Sequence, residues 1–247
     1  MSEKHAVYTG SRNLYPMMET AAKSLLAHTS VDHLWIFAED HELGWTLPEN
    51  CGTELHVVNI RNQKWFRKDG PNMKSRFTYF AMSRAAICHV LPEDVDLALA
   101  LDVDTIFVDD ADEVWDSLPN ADRYYFAASK EWHRSKNGLL YCNIGVTLYN
   151  LAKLRDGKAD EVIEVLNRRR YPWVEQDVFN YLCQGRIFPM DCKYNHNKFT
   201  TGGNDVAEPK IVHYAGQQSW ENQPDYRYFE EMTWDEVIER RSRLWSF

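Results

Sequence analysis

Between Tyr15 and His28 the apolar side chains fall at Met17, Met18, Ala21, Ala22, Leu25 and Leu26, a spacing of three to four residues that predicts an amphipathic helix. The flanking runs behave differently. His5 to Tyr8, His33 to Ala38 and Leu55 to Ile60 are apolar stretches too short for helices and separated by turn residues, so they read as strands. Met73 to Cys88 carries Phe77, Phe80, Ala81, Ala85 and Cys88 at helical spacing, with Pro92 marking its end. Leu97-Ala-Leu-Ala-Leu101 has no polar residue on either face, the pattern of a strand covered on both sides inside a mainly parallel sheet.

Downstream, Tyr125 to Ala128, Tyr141 to Tyr149 and Lys210 to Tyr214 read as strands, and Asp160 to Arg170, Glu175 to Gln184 and Trp234 to Leu244 as helices. Strands alternating with helices predict an α/β fold, a three-layer α/β/α sandwich around a mainly parallel central sheet. No repeat, low-complexity tract or flexible linker interrupts the pattern, so residues 1–247 read as a single domain, closed by a C-terminal helix within 235–247.

Composition narrows the function. The 247 residues carry 28 Lys plus Arg against 37 Asp plus Glu, a net charge of −9 that disfavours nucleic acid as a partner. Neither a signal-peptide pattern nor a run of apolar residues long enough to span a bilayer is present, and the expected compartment is cytoplasmic. Five cysteines without CxxC spacing suit buried free thiols rather than disulfides or a thiolate metal site.

In such sheets ligands bind beyond the carboxyl ends of the strands, which directs attention to Asp102. There are three Asp-x-Asp motifs. Asp94-Val-Asp96 lies at the amino end of the apolar strand, where solvated loop residues are expected. Asp110-Ala-Asp112 precedes a short helix predicted from Ala111 to Leu118, where carboxylates cap backbone N–H groups. Asp102-Val-Asp104 directly follows the buried strand, and if extended conformation continues its two carboxylates project to one side. Like charges that close are reconciled by a cation, and Mg²⁺ or Mn²⁺ suits oxygen ligands completed by one imidazole. His213, ending the run Lys210-Ile-Val-His213, is the candidate third ligand. Asp102-Val-Asp104-Thr105 also fits the nucleophile motif of haloacid-dehalogenase-like phosphatases, although that motif normally ends the first strand of its domain and here several elements precede it.

A larger set of collinear segments favours another reading. Ala6-Val-Tyr-Thr9 with Tyr15, Met82-Ser-Arg84, Leu101-Asp-Val-Asp104-Thr-Ile-Phe-Val108, Tyr141-Cys-Asn-Ile-Gly-Val-Thr-Leu-Tyr-Asn-Leu151, Glu175-Gln-Asp-Val-Phe-Asn180 and His213-Tyr-Ala-Gly216 occur in order. From about Lys4 to Trp220 this order resembles the glycogenin-like glycosyltransferases of family eight. The resemblance implies a GT-A fold and a retaining, metal-dependent hexosyltransferase using a UDP-sugar and an acceptor that is a carbohydrate or a protein-linked glycan. A homodimer is compatible with it.

By the same resemblance Asp102, Asp104 and His213 would hold Mn²⁺ or Mg²⁺. Thr9, Tyr15, Arg84, Asp102, Val103, Asp104, Asn143, Gly145 and Gly216 would contact the donor, with Gly145 leaving room for its sugar ring. Arg84, Glu175, Gln176 and Asp177 would form the catalytic set, with Gln176 near the β face of the anomeric carbon. An amide is a weak nucleophile, which favours front-face substitution with electrostatic support from Gln176. The chain departs from the family pattern after Gly216, where Gln-Gln-Ser-Trp220 lacks the usual diphosphate-binding lysine, and Lys198, Arg227 or the metal would have to compensate. Glu175 stands where the family usually has Asp. A donor-binding protein with little turnover is the non-enzymatic alternative. The segment Met190 to Gly203, with Tyr194, Asn195 and His196, is a candidate acceptor side.

Overall fold

In the computed structural model, residues 3–244 are described except 76, 121, 204 and 205. Residues 245–247, the end of the 235–247 span assigned to the C-terminal helix, therefore lie outside the described residues. The strands are β1 (His5–Thr9), β2 (His33–Ala38), β3 (Glu54–Asn59), β4 (Leu97–Leu101), β5 (Thr105–Phe107), β6 (Phe126–Lys130), β7 (Cys142–Asn150), β8 (Ile187–Met190) and β9 (Ile211–His213). The helices are α1 (Tyr15–His28), α2 (Thr78–Met82), α3 (Ile87–Val90), α4 (Leu151–Leu154), α5 (Lys158–Arg168), α6 (Val174–Leu182), α7 (Pro224–Glu231) and α8 (Trp234–Leu244).

Seven strands form one sheet in the order β3-β2-β1-β4-β7-β6-β8, and only β7 runs antiparallel to its neighbours. The alternation of side chains divides the core in two. Ala6, Tyr8, Leu34, Ile36, Leu99 and Leu101 pack on one face with α1, α7 and α8, while Val7, Trp35, Phe37, Ala98 and Ala100 pack on the other with α2, α5 and α6. The sandwich predicted from alternating strands and helices is thus present, and the all-apolar β4 is covered on both of its faces.

One predicted helix is broken. Residues 71–75 form turns, helix begins only at Thr78, and Ser83–Ala86 tighten into a 3-10 turn before α3. The preceding segment is held elsewhere: the Asn72 amide donates to Leu166 O (2.6 Å) and Arg169 O (2.8 Å) and accepts from Tyr171 N (2.9 Å). These bonds pin it to the end of α5. Strand β8, which contains Pro189, and helix α7 are elements the sequence pattern did not signal.

In the motif Asp110-Ala-Asp112, Asp110 Oδ1 accepts from Asp112 N at 3.1 Å, but the helix predicted from Ala111 to Leu118 is a single 3-10 turn, Asp112–Asp116, whose N-cap is Ala111 with no side-chain cap. Asp112 itself is turned away to Lys4 Nζ (2.8 Å), Ser30 N (2.9 Å) and Thr29 Oγ1 (3.0 Å), tying the start of the sheet to the loop after α1. All five cysteines are free and four are buried.

Candidate active site

The extended conformation expected through Asp102-Val-Asp104 does not occur. After Leu101 the chain turns, with Thr105 donating to Asp102 O from both N (3.3 Å) and Oγ1 (2.7 Å). The turn, rather than strand alternation, brings the carboxylates together. It is followed by the two-stranded ribbon β5–β9, in which Thr105 pairs with His213 and Tyr214 N donates to Asp104 O at 2.9 Å. A residue more than a hundred positions later is thereby set beside the acidic pair. His213 Nε2 lies 3.5 Å from Asp102 Oδ2 and 3.3 Å from Asp104 Oδ1.

The other ring nitrogen explains the orientation. His213 Nδ1 donates to Asn195 Oδ1 at 2.8 Å, and Asn195, fully buried, also donates to Asn143 Oδ1 at 3.0 Å. With Nδ1 carrying the proton in the neutral ring, Nε2 presents its lone pair toward the carboxylates, the arrangement expected of a metal-ligating histidine. Burial opposes a charge on His213, but the Asp104 and Asp102 carboxylates outweigh it and hold its pKa above the ordinary value. Burial likewise works against ionisation of Asp104, and His213 reverses that effect and lowers its pKa. The three side chains place oxygen and nitrogen donors within 4.8 Å of one another. Bonds of about 2.1 Å to a hard divalent ion put neighbouring ligands roughly 3 Å apart, so the donor set and its spacing fit Mg²⁺ or a similar ion.

A cavity of about 680 Å³ opens over this cluster. Of the residues singled out in the sequence, Thr9, Arg84, Asp102, Val103, Asp104, Asn143, Glu175, Gln176, His213 and Gly216 line it. Arg84, almost fully buried, donates from Nη1 to Asp102 Oδ1 (2.7 Å) and Ile144 O (3.0 Å), and from Nη2 to Glu175. Burial pushes the Glu175 pKa up despite this ion pair. Glu175 is therefore the buried partner that anchors Arg84. Gln176 accepts from Ile144 N at 3.2 Å and donates from Nε2 to Tyr141 Oη (3.1 Å) and Glu131 Oε1 (3.3 Å), which fixes the orientation of its amide.

Three predicted site residues do not line the cavity. The Tyr15 hydroxyl accepts from Glu39 N (2.8 Å) and Asp40 N (3.3 Å), fastening α1 to the end of β2. Asp177 accepts from Tyr141 Oη (2.6 Å) and Trp173 N (2.9 Å), which orders the start of α6 behind Gln176. Gly145 lies beneath His213, and what its missing side chain admits is that imidazole rather than a sugar ring. It also occupies a bulge, because the β6–β7 register jumps from Ala128↔Thr147 to Ser129↔Asn143.

Sequence reasoning missed Glu131, which lines the cavity and accepts from Asn143 and Gln176, and Arg134, which stacks over Tyr141. Their segment carries no recognisable pattern. Of the predicted acceptor segment, Tyr194 is buried with its hydroxyl on Glu113 and Asn195 backs His213, while Phe199 reaches the cavity. Neither of the suggested lysine substitutes lines it: Arg227 is bonded to Asn222 and Glu230 on α7, and Lys198 sits over the Phe199 ring.

With this geometry in place, the family is decided by a match to the sequence profile of Glycosyl transferase family 8 over residues 7–223. The chain belongs to that family. It has the seven-stranded α/β fold shared by GT-A glycosyltransferases. Among curated proteins it is 24% identical over 257 residues to glycosyltransferase GlyB of Streptococcus pneumoniae serotype 4, covering 95% of this chain and 61% of that protein. This family 8 chain thus spans less than two thirds of that relative's length. Its fold is similar to the galactosyltransferase LgtC crystallised with donor and acceptor sugar analogues (TM-score 0.67, 18% identity, 95% of each chain). It is also similar to GlyE of S. pneumoniae TIGR4 (TM-score 0.75, 18% identity, 97% of this chain and 63% of that one). Among the described residues no helix is long and apolar enough to cross a membrane.

Proposed function

We propose that this chain transfers a hexose from a UDP-sugar to a carbohydrate or protein-linked glycan, with retention of anomeric configuration. The observation that carries the reading is the convergence of Asp102, Asp104 and His213 on one point of a cavity that Gln176 also lines. Mn²⁺ or Mg²⁺ held by these three residues would supply Lewis-acid stabilisation of the charge building on the leaving diphosphate. Arg84 braces the Asp102 carboxylate and contributes positive charge beneath the donor. Thr9, Val103, Asn143 and Gly216 line the surface against which nucleotide and sugar would lie.

Gln176 uses one lone pair of its Oε1 for Ile144 N, and a carbonyl oxygen has a second. That oxygen supports positive charge at the anomeric centre electrostatically while the acceptor attacks from the leaving-group face. Glu175 and Asp177 act behind it: one holds Arg84, the other orders Tyr141 and the start of α6. The reading is tested by incubating the protein with Mn²⁺ and a panel of α-configured UDP-sugars and following products by proton NMR. Release of UDP with an α-configured product supports it, and a β-configured product contradicts retention.

A second reading is a nucleotide-sugar-binding protein with little turnover. It is favoured by one observation: the cavity arginines, Arg84 and Arg134, are both ion-paired with protein carboxylates, and the family's usual diphosphate lysine is replaced. UDP binding without any sugar release from the whole panel would select it.

A further inference from the structure

A second cluster of potential ligands lies at the opposite end of the sheet. β1, β2 and β3 are parallel and in register, so that His5, His33 and Glu54 stand side by side, as do Val7, Trp35 and His56 two residues further on. Residues two apart share a face, and His33, Glu54 and His56 therefore project to the same side of neighbouring strands. His33 Nδ1 lies 3.0 Å from His56 Nε2 and 3.5 Å from Glu54 Oε2, and His56 Nε2 lies 3.7 Å from that same oxygen.

These separations have a chemical meaning. Four ligands around Zn²⁺ at bonds of about 2.0 to 2.1 Å are separated by about 3.3 Å along each edge of the tetrahedron. Three mutual distances between 3.0 and 3.7 Å match three corners of that figure. The rings are held in place by stacking: His56 on Trp35 with centroids 4.0 Å apart and planes 14° from parallel, and His33 on His5 at 4.6 Å and 10°. The remaining nitrogen of His33, Nε2, lies 3.2 Å from Glu3 Oε2, the carboxylate partner that commonly backs a metal-bound imidazole.

The two imidazoles, His33 and His56, line a cavity of about 920 Å³ together with Asp94, Asp96, Asp122, Asp156 and Lys153, and the exposed Glu54 stands outside its lining. The surplus of carboxylates attracts cations, and the open cavity leaves room for a water at a fourth position. Two imidazoles and one carboxylate suit Zn²⁺, whereas the acidic pair near Arg84 suits a hard ion.

We propose that His33 Nδ1, His56 Nε2 and the Glu54 carboxylate form a Zn²⁺ site that clips edge strand β3 to β2, separate from the catalytic cavity. The ion joins two neighbouring strands at the amino end of the sheet and leaves the donor site at the carboxyl end untouched.

The test uses the whole chain freed of metal by chelation and titrated with Co²⁺ as a spectroscopic substitute and with Zn²⁺ by calorimetry. Four-coordinate Co²⁺ absorbs strongly in the visible, while six-coordinate, oxygen-rich Co²⁺ is faint, so the two sites are told apart by colour. The wild-type protein and an Asp104→Asn variant are expected to develop the strong band at one equivalent. His33→Gln combined with His56→Gln is expected to abolish it and to lose one Zn²⁺ equivalent, with Mn²⁺-dependent UDP binding unchanged. Glu54→Gln, at an exposed position that tolerates substitution, should weaken Zn²⁺ binding by at least the roughly tenfold to hundredfold that loss of an outer partner costs. Zn²⁺ should also raise the melting temperature of wild type by more than that of Glu54→Gln at the same concentration. Absence of the band in wild type, or equal Zn²⁺ stoichiometry and affinity in wild type and Glu54→Gln, would overturn the proposal and leave an ordinary imidazole–imidazole hydrogen bond.

Discussion

The imidazole of His213 rests on the bare α-carbon of Gly145: a β-carbon placed there would come within 2.1 Å of Cε1, 2.7 Å of Nδ1 and 2.8 Å of Nε2. No flexible side-chain end is available to move, because the ring is held from behind by Asn195 and from β5 by strand pairing. Gly145→Ala should push the imidazole off the Asp102–Asp104 pair. The expected cost to stability is about 1 to 3 kcal/mol, as for other overpacked sites. Apparent Mn²⁺ affinity, read from the metal dependence of UDP binding, should fall by about tenfold or more. An unchanged Mn²⁺ titration would mean that the ring is not a ligand.

Gln176→Ala separates binding from chemistry. The amide is held by Ile144 N, Tyr141 and Glu131, and the proposed role is support of the charged sugar rather than attachment of the nucleotide. Turnover should drop by about 10² to 10³, the usual effect of removing one aligned electrostatic group, while Kd for UDP stays within about twofold. Steady-state kinetics with parallel calorimetry checks both halves of the statement.

Arg84 and Glu175 form a buried ion pair, with side-chain exposures of 6% and 2%. Removing one partner leaves the other uncompensated, so Arg84→Met should destabilise the fold by about 3 to 5 kcal/mol. Adding Glu175→Gln to that variant neutralises the stranded carboxylate and should recover a large part of the loss. Urea unfolding of the two single variants and the double variant closes the cycle, and strict additivity would contradict the pairing.

Much of this site was legible because short-range patterns encode it. The apolar run of β4 predicts a strand covered on both faces, its end predicts where ligands gather, and the late histidine and Gln176 stand in recognisable segments. What was not legible arises from contacts distant in sequence. Nothing local marks Asn195 as the residue behind His213, or Glu131 as a neighbour of Gln176, and both were found only when β6, β7 and the turn after β8 came together. The three-residue strands β5 and β9 are too short to give a periodic signal, yet they deliver His213 to the acidic turn. Tyr15 and Asp177 fit their segments but spend their polar atoms on the scaffold.

Stability should fall as pH drops through the range set by His28. Its Nδ1 donates to Ser24 O (3.0 Å) and its Nε2 accepts from Arg240 (2.9 Å), so the native state requires the neutral ring. Burial pulls its pKa from 6.5 to about 4, with the Ser24 hydrogen bond opposing and Arg240 adding to the shift. The unfolded chain binds this proton first, so the stabilisation is fully present above pH 6.5 and lost progressively between 6.5 and 4. The loss amounts to about 3 kcal/mol, at roughly 1.4 kcal/mol per pKa unit. His28→Gln, which keeps a donor and an acceptor without titrating, should flatten the pH dependence of the urea midpoint in that interval.

The most direct measurement is calorimetric titration of UDP into wild type and His213→Ala, each with Mn²⁺ and after chelation. Wild type should bind in the presence of Mn²⁺ and weaken by at least tenfold without it, while His213→Ala should show weak binding under both conditions. Equal affinity of wild type with and without the ion, or undiminished Mn²⁺ dependence in His213→Ala, would contradict the shared metal site on which the proposed transfer reaction depends.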